Sequence, residues 1–327
     1  MNFYDFIKPD IDKVESRIEE LIPKEPEEVY GILPSFIRRG GKRIRPMLVL
    51  LCCSAVGGRK EDGIEPAALI EVFHNFTLIH DDICDDSKMR RGEPTLNVEY
   101  GVPISLNAGD ALYTILWEGL ASLKINGKTT EIQKMFSKAF RKVVEGQGIE
   151  LNWYREKRFD LTEEEYFKMI GGKTAALMGL SCETGAFIGE GDQQTRESLR
   201  NFGEKIGLAF QIHDDLLNIT GDFDKYKKEI GGDITEGKRT LMVLDTLKKA
   251  EEDEREKLTG ILNSNSSKKE DIDFAVSLLK RYGSVDYARE KAEELVNDAV
   301  SSLEVLKDSE EKKALLSLSE YIVRREG

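Results

Sequence analysis

Two short stretches gather carboxylates. "FTLIHDDICDDSK", residues 76–88, places Asp81, Asp82, Asp85 and Asp86 within six positions, in a segment whose apolar periodicity predicts a helix. Aspartate is a poor helix former, and like charges four apart repel by about a few tenths of a kcal/mol. At about 100° per residue, Asp82 lies roughly 100°, Asp85 roughly 40° and Asp86 roughly 140° from Asp81, so the first three share one face. A hard divalent cation, Mg²⁺ or Ca²⁺, would make that repulsion tolerable. "QIHDDLLNITGD" repeats the phrase with Asp214 and Asp215, then Asn218 where a third carboxylate would complete the pattern, then Asp222. Of the three histidines, His80 and His213 each directly precede an aspartate pair. Beside metal-binding carboxylates such histidines serve more often as hydrogen-bond donors than as ligands.

Several metal chemistries can be weighed. Neither cluster has the glycine and the glutamate at position 12 of an EF-hand loop. "EVFH" supplies one Glu-x-x-His pair, Glu71 and His74, but a di-iron bundle needs two. Carboxylate clusters with basic residues elsewhere suit Mg²⁺ bridging to phosphates, because Mg²⁺ keeps waters and binds through a few carboxylates. No Walker loop or G-x-G-x-x-G opens a helix, so a nucleotide is not indicated. "RRGGKRIR", residues 38–45, sets Arg38, Arg39, Lys42, Arg43 and Arg45 together with no acid among them. It reads as a pocket for a small anion or as a solvated charge run.

The elements that must position these groups read as helices. All eight prolines lie at or before Pro103, and proline breaks helix interiors at about 3 kcal/mol. "IQKMFSKAFRKVVEGQGIELNWY" and "YAREKAEELVNDAVSSLEVL" repeat apolar residues at three and four, and strand-like alternation is hard to find. We expect about a dozen helices, with starts at "DLTEEE" and "SSKKED" where a capping residue precedes acids. The polar, Gly- and Lys-rich stretch 220–237 is read as a long functional loop. The 327 residues give a prior of about two domains. No linker composition supports a split, so one all-α domain over residues 1–327 is expected. A net charge of −13 argues against nucleic acid as partner. The longest apolar run, "MLVLLCCSAV", is about half of a membrane span. The N-terminus lacks a signal-peptide pattern, and four cysteines without framework or C-x-x-C spacing point to a reducing cytoplasm.

With these residues in hand, the chain resembles the trans-isoprenyl diphosphate synthases of the polyprenyl synthetase family, in particular archaeal-type geranylgeranyl diphosphate synthases. "GGKRIRP" (40–46), His74, "DDICD" with "RRGEPT" (90–95), "GQGIEL" (146–151), "GGKT" (171–174), "QIHDDLLN" (211–218) and "GGDITEGKRT" (231–240) occur in the family's order over nearly the whole chain. The resemblance implies a single α-bundle around a deep cavity, with the two aspartate clusters on facing helices holding about three Mg²⁺. It implies a prenyltransferase that joins an allylic diphosphate to isopentenyl diphosphate, and a homodimer. Asp81, Asp82 and Asp85 match the first metal motif, and Asp214 and Asp215 the second, with Asn218 replacing its usual third aspartate. Arg90, Lys173, Lys228 and Lys238 match positions that grip the allylic diphosphate. Lys42, Arg45, His74 and Arg91 match the isopentenyl diphosphate site. Thr174 and Gln211 match polar residues beside the reacting carbons. Glu150 stands where the family often has Asp, and Asp86 lies outside the motif.

The resemblance also frames product length. Two residues between Asp82 and Asp85, Phe76 at the fifth position before the motif and Thr77 at the fourth resemble a maker of geranylgeranyl (C20) chains. Ideal-helix geometry does not simply agree, since Thr77 falls about −40°, Phe73 about −80° and Phe76 about −140° from Asp81. A local helix distortion, or contact from a neighbouring helix, would reconcile the two. Farnesyl or longer products remain alternatives. A terpene cyclase would need a different second motif and would have no use for Lys42, Arg45 and His74. A non-catalytic partner subunit would usually have lost an aspartate motif.

Overall fold

The structure, a computed structural model, describes residues 3–125, 127–221 and 231–324. In chain order the helices are α1 (Phe3–Leu21), α2 (Glu27–Tyr30), α3 (Leu33–Arg38), α4 (Ile44–Ala55), α5 (Lys60–Cys84), α6 (Leu96–Glu99), α7 (Val102–Ser122), α8 (Thr129–Arg155) and α9 (Glu163–Ile170). There follow α10 (Ala176–Ile188), α11 (Gln193–Thr220), α12 (Gly232–Thr235), α13 (Leu241–Lys249), α14 (Glu252–Asn263), α15 (Lys269–Arg281), α16 (Ser284–Ser301) and α17 (Glu310–Arg324). The all-α expectation holds, because the described strands amount to one antiparallel pair, β1 (Met89–Arg90) with β2 (Glu93–Pro94). Helices outnumber the expected dozen because α2, α3, α6 and α12 span six residues or fewer, too short to show a period.

The chain divides into two compact units. The first comprises Met1–Lys138, Met178–Asn201 and Ser302–Leu318, the second Ala139–Leu177, Phe202–Ser301 and Ser319–Gly327.

In the first unit α1 buries Phe3, Ile7, Ile11, Val14 and Ile18, a stripe at three- and four-residue spacing that gives the helix one apolar face. α5 packs against α1, α4 and α7, so its segment from Ala67 to Phe73 is buried all round. Closeness to α7 depends on glycine. A Cβ at Gly109 would collide with the His80 imidazole, and one at Gly119 with Leu69. α5 runs unbroken to Cys84 and ends with Asp85, whose N–H donates to the Asp81 carbonyl. The first aspartate cluster therefore occupies the helix's last turn.

In the second unit Trp153, Tyr166, Leu216, Leu241, Leu278 and Ala292 belong to one buried core. α9 begins where "DLTEEE" predicts. Thr162 accepts from the Glu165 N–H at 3.1 Å while Glu165 accepts from the Thr162 N–H at 2.8 Å, a reciprocal cap that satisfies two orphan donors. α15 starts at Lys269, near the expected place, but without a side-chain cap. Between α9 and α10, Gly171–Ala175 form one π-helical turn.

Candidate active site

In the first unit the turn between β1 and β2 decides where two adjacent arginines go. Arg91 and Gly92 have φ of 55° and 81°, the pair of positive values that a two-residue hairpin turn of type I′ requires. Reversing the chain at that point sends neighbouring side chains to different partners. Arg90 donates through Nε to both carboxylate oxygens of Asp82, at 2.7 and 2.8 Å, and Nη2 lies 2.6 Å from Oδ1. Arg91 instead donates to the Gly40 carbonyl.

Arg90 thus belongs to the aspartate end of α5. Burial works against its charge, but Asp82, with Asp81 and Asp85, more than offsets this and holds its pKa above the ordinary value. Asp82 is buried, and Asp81 and Asp85 are half-buried. Asp86 lies past the helix in a left-handed conformation and pairs with exposed Lys88 at 2.7 Å, apart from the other three.

Arg91 belongs to a second group, with Arg45 and His74. Arg45 Nη1 lies 3.2 Å from His74 Nε2, and the Arg45 Nε is buried without a hydrogen-bond partner. Burial pushes the Arg45 pKa down to about 10 against the pull of Glu71. Arg91 is pushed down to about 10 by burial and by Arg43, Arg90 and Arg45, again against Glu71. His74 is driven well below its usual range by burial and then by the same arginines, so it is neutral. Crowded cations with an orphaned buried N–H are expensive unless an anion completes them. Lys42 lies three residues before Arg45, on the loop whose Gly41 would clash with Arg91 if it carried a Cβ.

Further down α5, Thr77 donates to the His74 carbonyl at 2.8 Å. The Phe76 ring lies 5.4 Å from buried Phe73, 4.7 Å from His80 and 5.1 Å from Tyr113 of α7. α5 is α-helical through this stretch, and Tyr113 of the neighbouring α7 contacts Phe76.

In the second unit the π turn aims Lys173 and Thr174. The extra residue in the turn redirects side chains. Lys173 pairs with buried Glu150 at 2.5 Å, and Glu150 also accepts from the Tyr154 hydroxyl at 3.0 Å. Thr174 donates to Gln211 Oε1 at 2.8 Å, and Gln211 Nε2 donates to Asp215 Oδ1 at 2.9 Å. Asp215 is buried and also accepts from the Tyr166 hydroxyl at 3.2 Å. Burial, then the neighbouring Asp233, raises the Asp215 carboxyl well above its usual range. Lys238 pairs with Asp233 at 2.9 Å and with Glu236 at 2.7 Å. Asn218 Oδ1 accepts from the Asp233 N–H at 3.0 Å, and its carbonyl accepts from the Gly231 N–H at 2.8 Å. The amide in the third motif position therefore fastens the 231–238 segment to α11. Asp214 is half-buried beside Asp215. Lys228 and Asp222 lie outside the described residues.

A family model, polyprenyl synthetase, matches residues 26–279. The chain belongs to the polyprenyl synthetase family. It is 39% identical over 327 residues to the short chain isoprenyl diphosphate synthase of Methanothermobacter thermautotrophicus, spanning 100% of this chain and 99% of that one. The structure of geranylgeranyl pyrophosphate synthetase from Pyrococcus horikoshii is similar with a TM-score of 0.93 at 37% identity, covering 99% of this chain and 98% of that one. Polyprenyl synthase from Caulobacter crescentus, complexed with calcium and isoprenyl diphosphate, is similar with a TM-score of 0.91 at 26% identity, over 100% and 98%. Membership in the family makes the protein a prenyltransferase.

Among the described residues, no three carboxylate, imidazole or thiol groups converge as a ready-made metal site. The donor chemistry of a polyprenyl synthetase nonetheless fits Mg²⁺. All candidate ligands are hard carboxylates. Asp82 takes up a guanidinium, and Asp215 is buried beside Asp233. Sequence reasoning gave no role to Tyr166 and Asp233, which touch Asp215 and Lys238, or to Arg43 and Glu150. The charge run contained Arg43 and "GGDITEGKRT" contained Asp233, but neither singled the residue out.

Proposed function

We propose that the protein condenses an allylic diphosphate with isopentenyl diphosphate and releases chiefly geranylgeranyl diphosphate. The observation that carries this reading is the turn at Arg91–Gly92, which gives Arg90 to the carboxylate cluster and Arg91 to the Arg45–His74 group. Two anion-binding places follow, one beside metal-binding carboxylates and one without them. That matches one substrate whose diphosphate must leave and one whose diphosphate must stay.

Asp81, Asp82 and Asp85, and Asp214 and Asp215, would hold Mg²⁺, which when bound neutralises charge gathering on the departing diphosphate. Arg90, Lys173 and Lys238 are each ion-paired to an acid in this structure and would exchange that acid for phosphate oxygens of an allylic diphosphate. Lys228 completes the set. The allylic C1–O bond breaks with its electrons going to the diphosphate. Lys42, Arg45, His74 and Arg91 hold isopentenyl diphosphate so that its double bond attacks C1. The adduct loses a proton to the released diphosphate, so no side-chain base is needed. Thr174 and Gln211, hydrogen-bonded to each other, face the reacting carbons. Phe76, braced by Tyr113, ends chain growth at C20.

The protein acts as a homodimer in the cytoplasm. Val102, Ile104, Leu106, Tyr113 and Trp117 of α7 are exposed, an apolar set that a second copy would cover. All four cysteines are free thiols, as a reducing compartment keeps them. Among the described residues no helix is long and apolar enough to cross a membrane.

Turnover of the purified protein with Mg²⁺, isopentenyl diphosphate and C5, C10 or C15 allylic primers tests the reading, with products dephosphorylated and sized by chromatography. A dominant C20 alcohol is expected. Longer chains would overturn the Phe76 floor. No product from any primer would make the chain a non-catalytic partner subunit.

A further inference from the structure

The function uses His74 of the phrase Glu71-Val72-Phe73-His74 and leaves Glu71 idle. Yet Glu71 is only 2% exposed, and a buried carboxylate needs a reason. Its Oε1 accepts from Arg43 Nη1 at 2.8 Å. Arg43 is itself buried, adopts a left-handed φ of 48°, and is the residue that opens α4 between Lys42 and Arg45. Its guanidinium also donates to Glu15 at 2.9 Å, to the Ile37 carbonyl at 2.9 Å and to the Gly40 carbonyl at 3.3 Å. The same Gly40 carbonyl takes Arg91. One side chain therefore gathers the loop that carries Lys42, and Glu71 anchors that side chain from α5.

Glu71 also has an electrostatic place. Arg43, Arg45 and Arg91 all feel its attraction. Glu15 reaches Arg43 too, but is exposed and so is screened. An anion arriving among these arginines meets a site already balanced in part by one buried carboxylate.

We propose that Glu71 is a positioning residue for isopentenyl diphosphate: through Arg43 it holds the Lys42–Arg45 loop in its binding geometry, and its charge limits how tightly the arginine group retains a diphosphate. The inference rests on the reading of Lys42, Arg45 and Arg91 as the isopentenyl diphosphate site. Its two halves have opposite signs. Losing the charge while keeping the hydrogen bond tightens anion binding, because the cations lose a competitor. Losing the whole pair loosens it, because the loop loses its anchor.

The test is calorimetric titration of the full chain with isopentenyl diphosphate in EDTA, so that metal-dependent binding at the aspartates is suppressed. Glu71→Gln can still accept from Arg43, and should bind about fivefold or more tighter than wild type, with a matching fall in KM and kcat within about twofold. The double variant Arg43→Met with Glu71→Met removes both buried charges and leaves only Glu15, which is exposed, without its partner. It should bind about tenfold or more weaker. Equal or weaker binding by Glu71→Gln, or wild-type affinity in the double variant, overturns the proposal and marks the pair as merely structural. Should Glu71→Gln not fold, the double variant decides alone. No binding by wild type would instead overturn the assignment of the isopentenyl diphosphate site.

Discussion

Arg90→Ala offers the sharpest test of the idea that acids hold the substrate-gripping cations in place before substrate arrives. In this structure Arg90 embraces Asp82 through three contacts of 2.6 to 2.8 Å, and the Asp82 side chain is 2% exposed. Removing one member of a buried pair strands the other charge, at a cost of about 3–5 kcal/mol. Because the Arg90 side chain is 19% exposed, the lower end, about 3 kcal/mol, applies. In a chain of 327 residues that lowers the melting temperature by about 4–5 °C. Mg²⁺ should restore more stability to the variant than to wild type, because a cation binding the native carboxylates replaces the lost guanidinium. Thermal melts with and without Mg²⁺ and a non-reactive allylic diphosphate analogue would show it. Catalysis should not be rescued. Loss of a charge-assisted hydrogen bond to the diphosphate, about 1.5–3 kcal/mol, lowers kcat/KM roughly 10- to 100-fold. A metal-free melting temperature within about 2 °C of wild type, with an unchanged Mg²⁺ shift, would refute the reasoning.

Asp81→Ala should abolish turnover in a folded protein, with a slight gain in metal-free stability from relieved repulsion; a fall in kcat of less than about tenfold would contradict its metal role. Phe76→Ala should lengthen the main product beyond C20 and Thr77→Phe shorten it towards C15, read by product chromatography. Neither substitution touches a diphosphate group, so substrate consumption should continue; an unchanged product from Phe76→Ala beside a longer one from Phe73→Ala would move the floor one turn down α5. Asn218→Asp keeps the acceptor for the Asp233 N–H but adds a negative charge beside Asp215 and Asp233. It should lower metal-free stability and reduce the Mg²⁺ concentration for half-maximal turnover, and a raised Mg²⁺ requirement would sink this account.

Much of the fold was legible because helix formation is written locally. The α1 stripe, the Thr162–Glu165 cap and the long helices after Pro103 all follow from residue type and spacing within a few positions. The aspartate clusters were legible for the related reason that an uncompensated run of like charge announces a missing partner. What the sequence did not announce was who compensates whom. Arg43 meets Glu71 across 28 residues and Lys173 meets Glu150 across 23, and no periodicity encodes such distances. The π turn at Gly171–Ala175 adds a residue that a 3.6-residue pattern does not register, though its paired glycines were visible.

Phe76 shows the same limit from the side of geometry. Its angle on an ideal helix, roughly 140° from Asp81, says only where the side chain leaves α5. It says nothing of what it meets, and Tyr113, 37 positions away on α7, supplies the contact. The adjacent arginines make the point most sharply. As a sequence, Arg90 and Arg91 are one basic dipeptide. A positive φ at Arg91 followed by Gly92 separates them, sending Arg90 to Asp82 and Arg91 to the Gly40 carbonyl. Replacing Gly92 by a β-branched residue, which resists positive φ, should therefore impair both substrate sites at once, although neither loses a charged group.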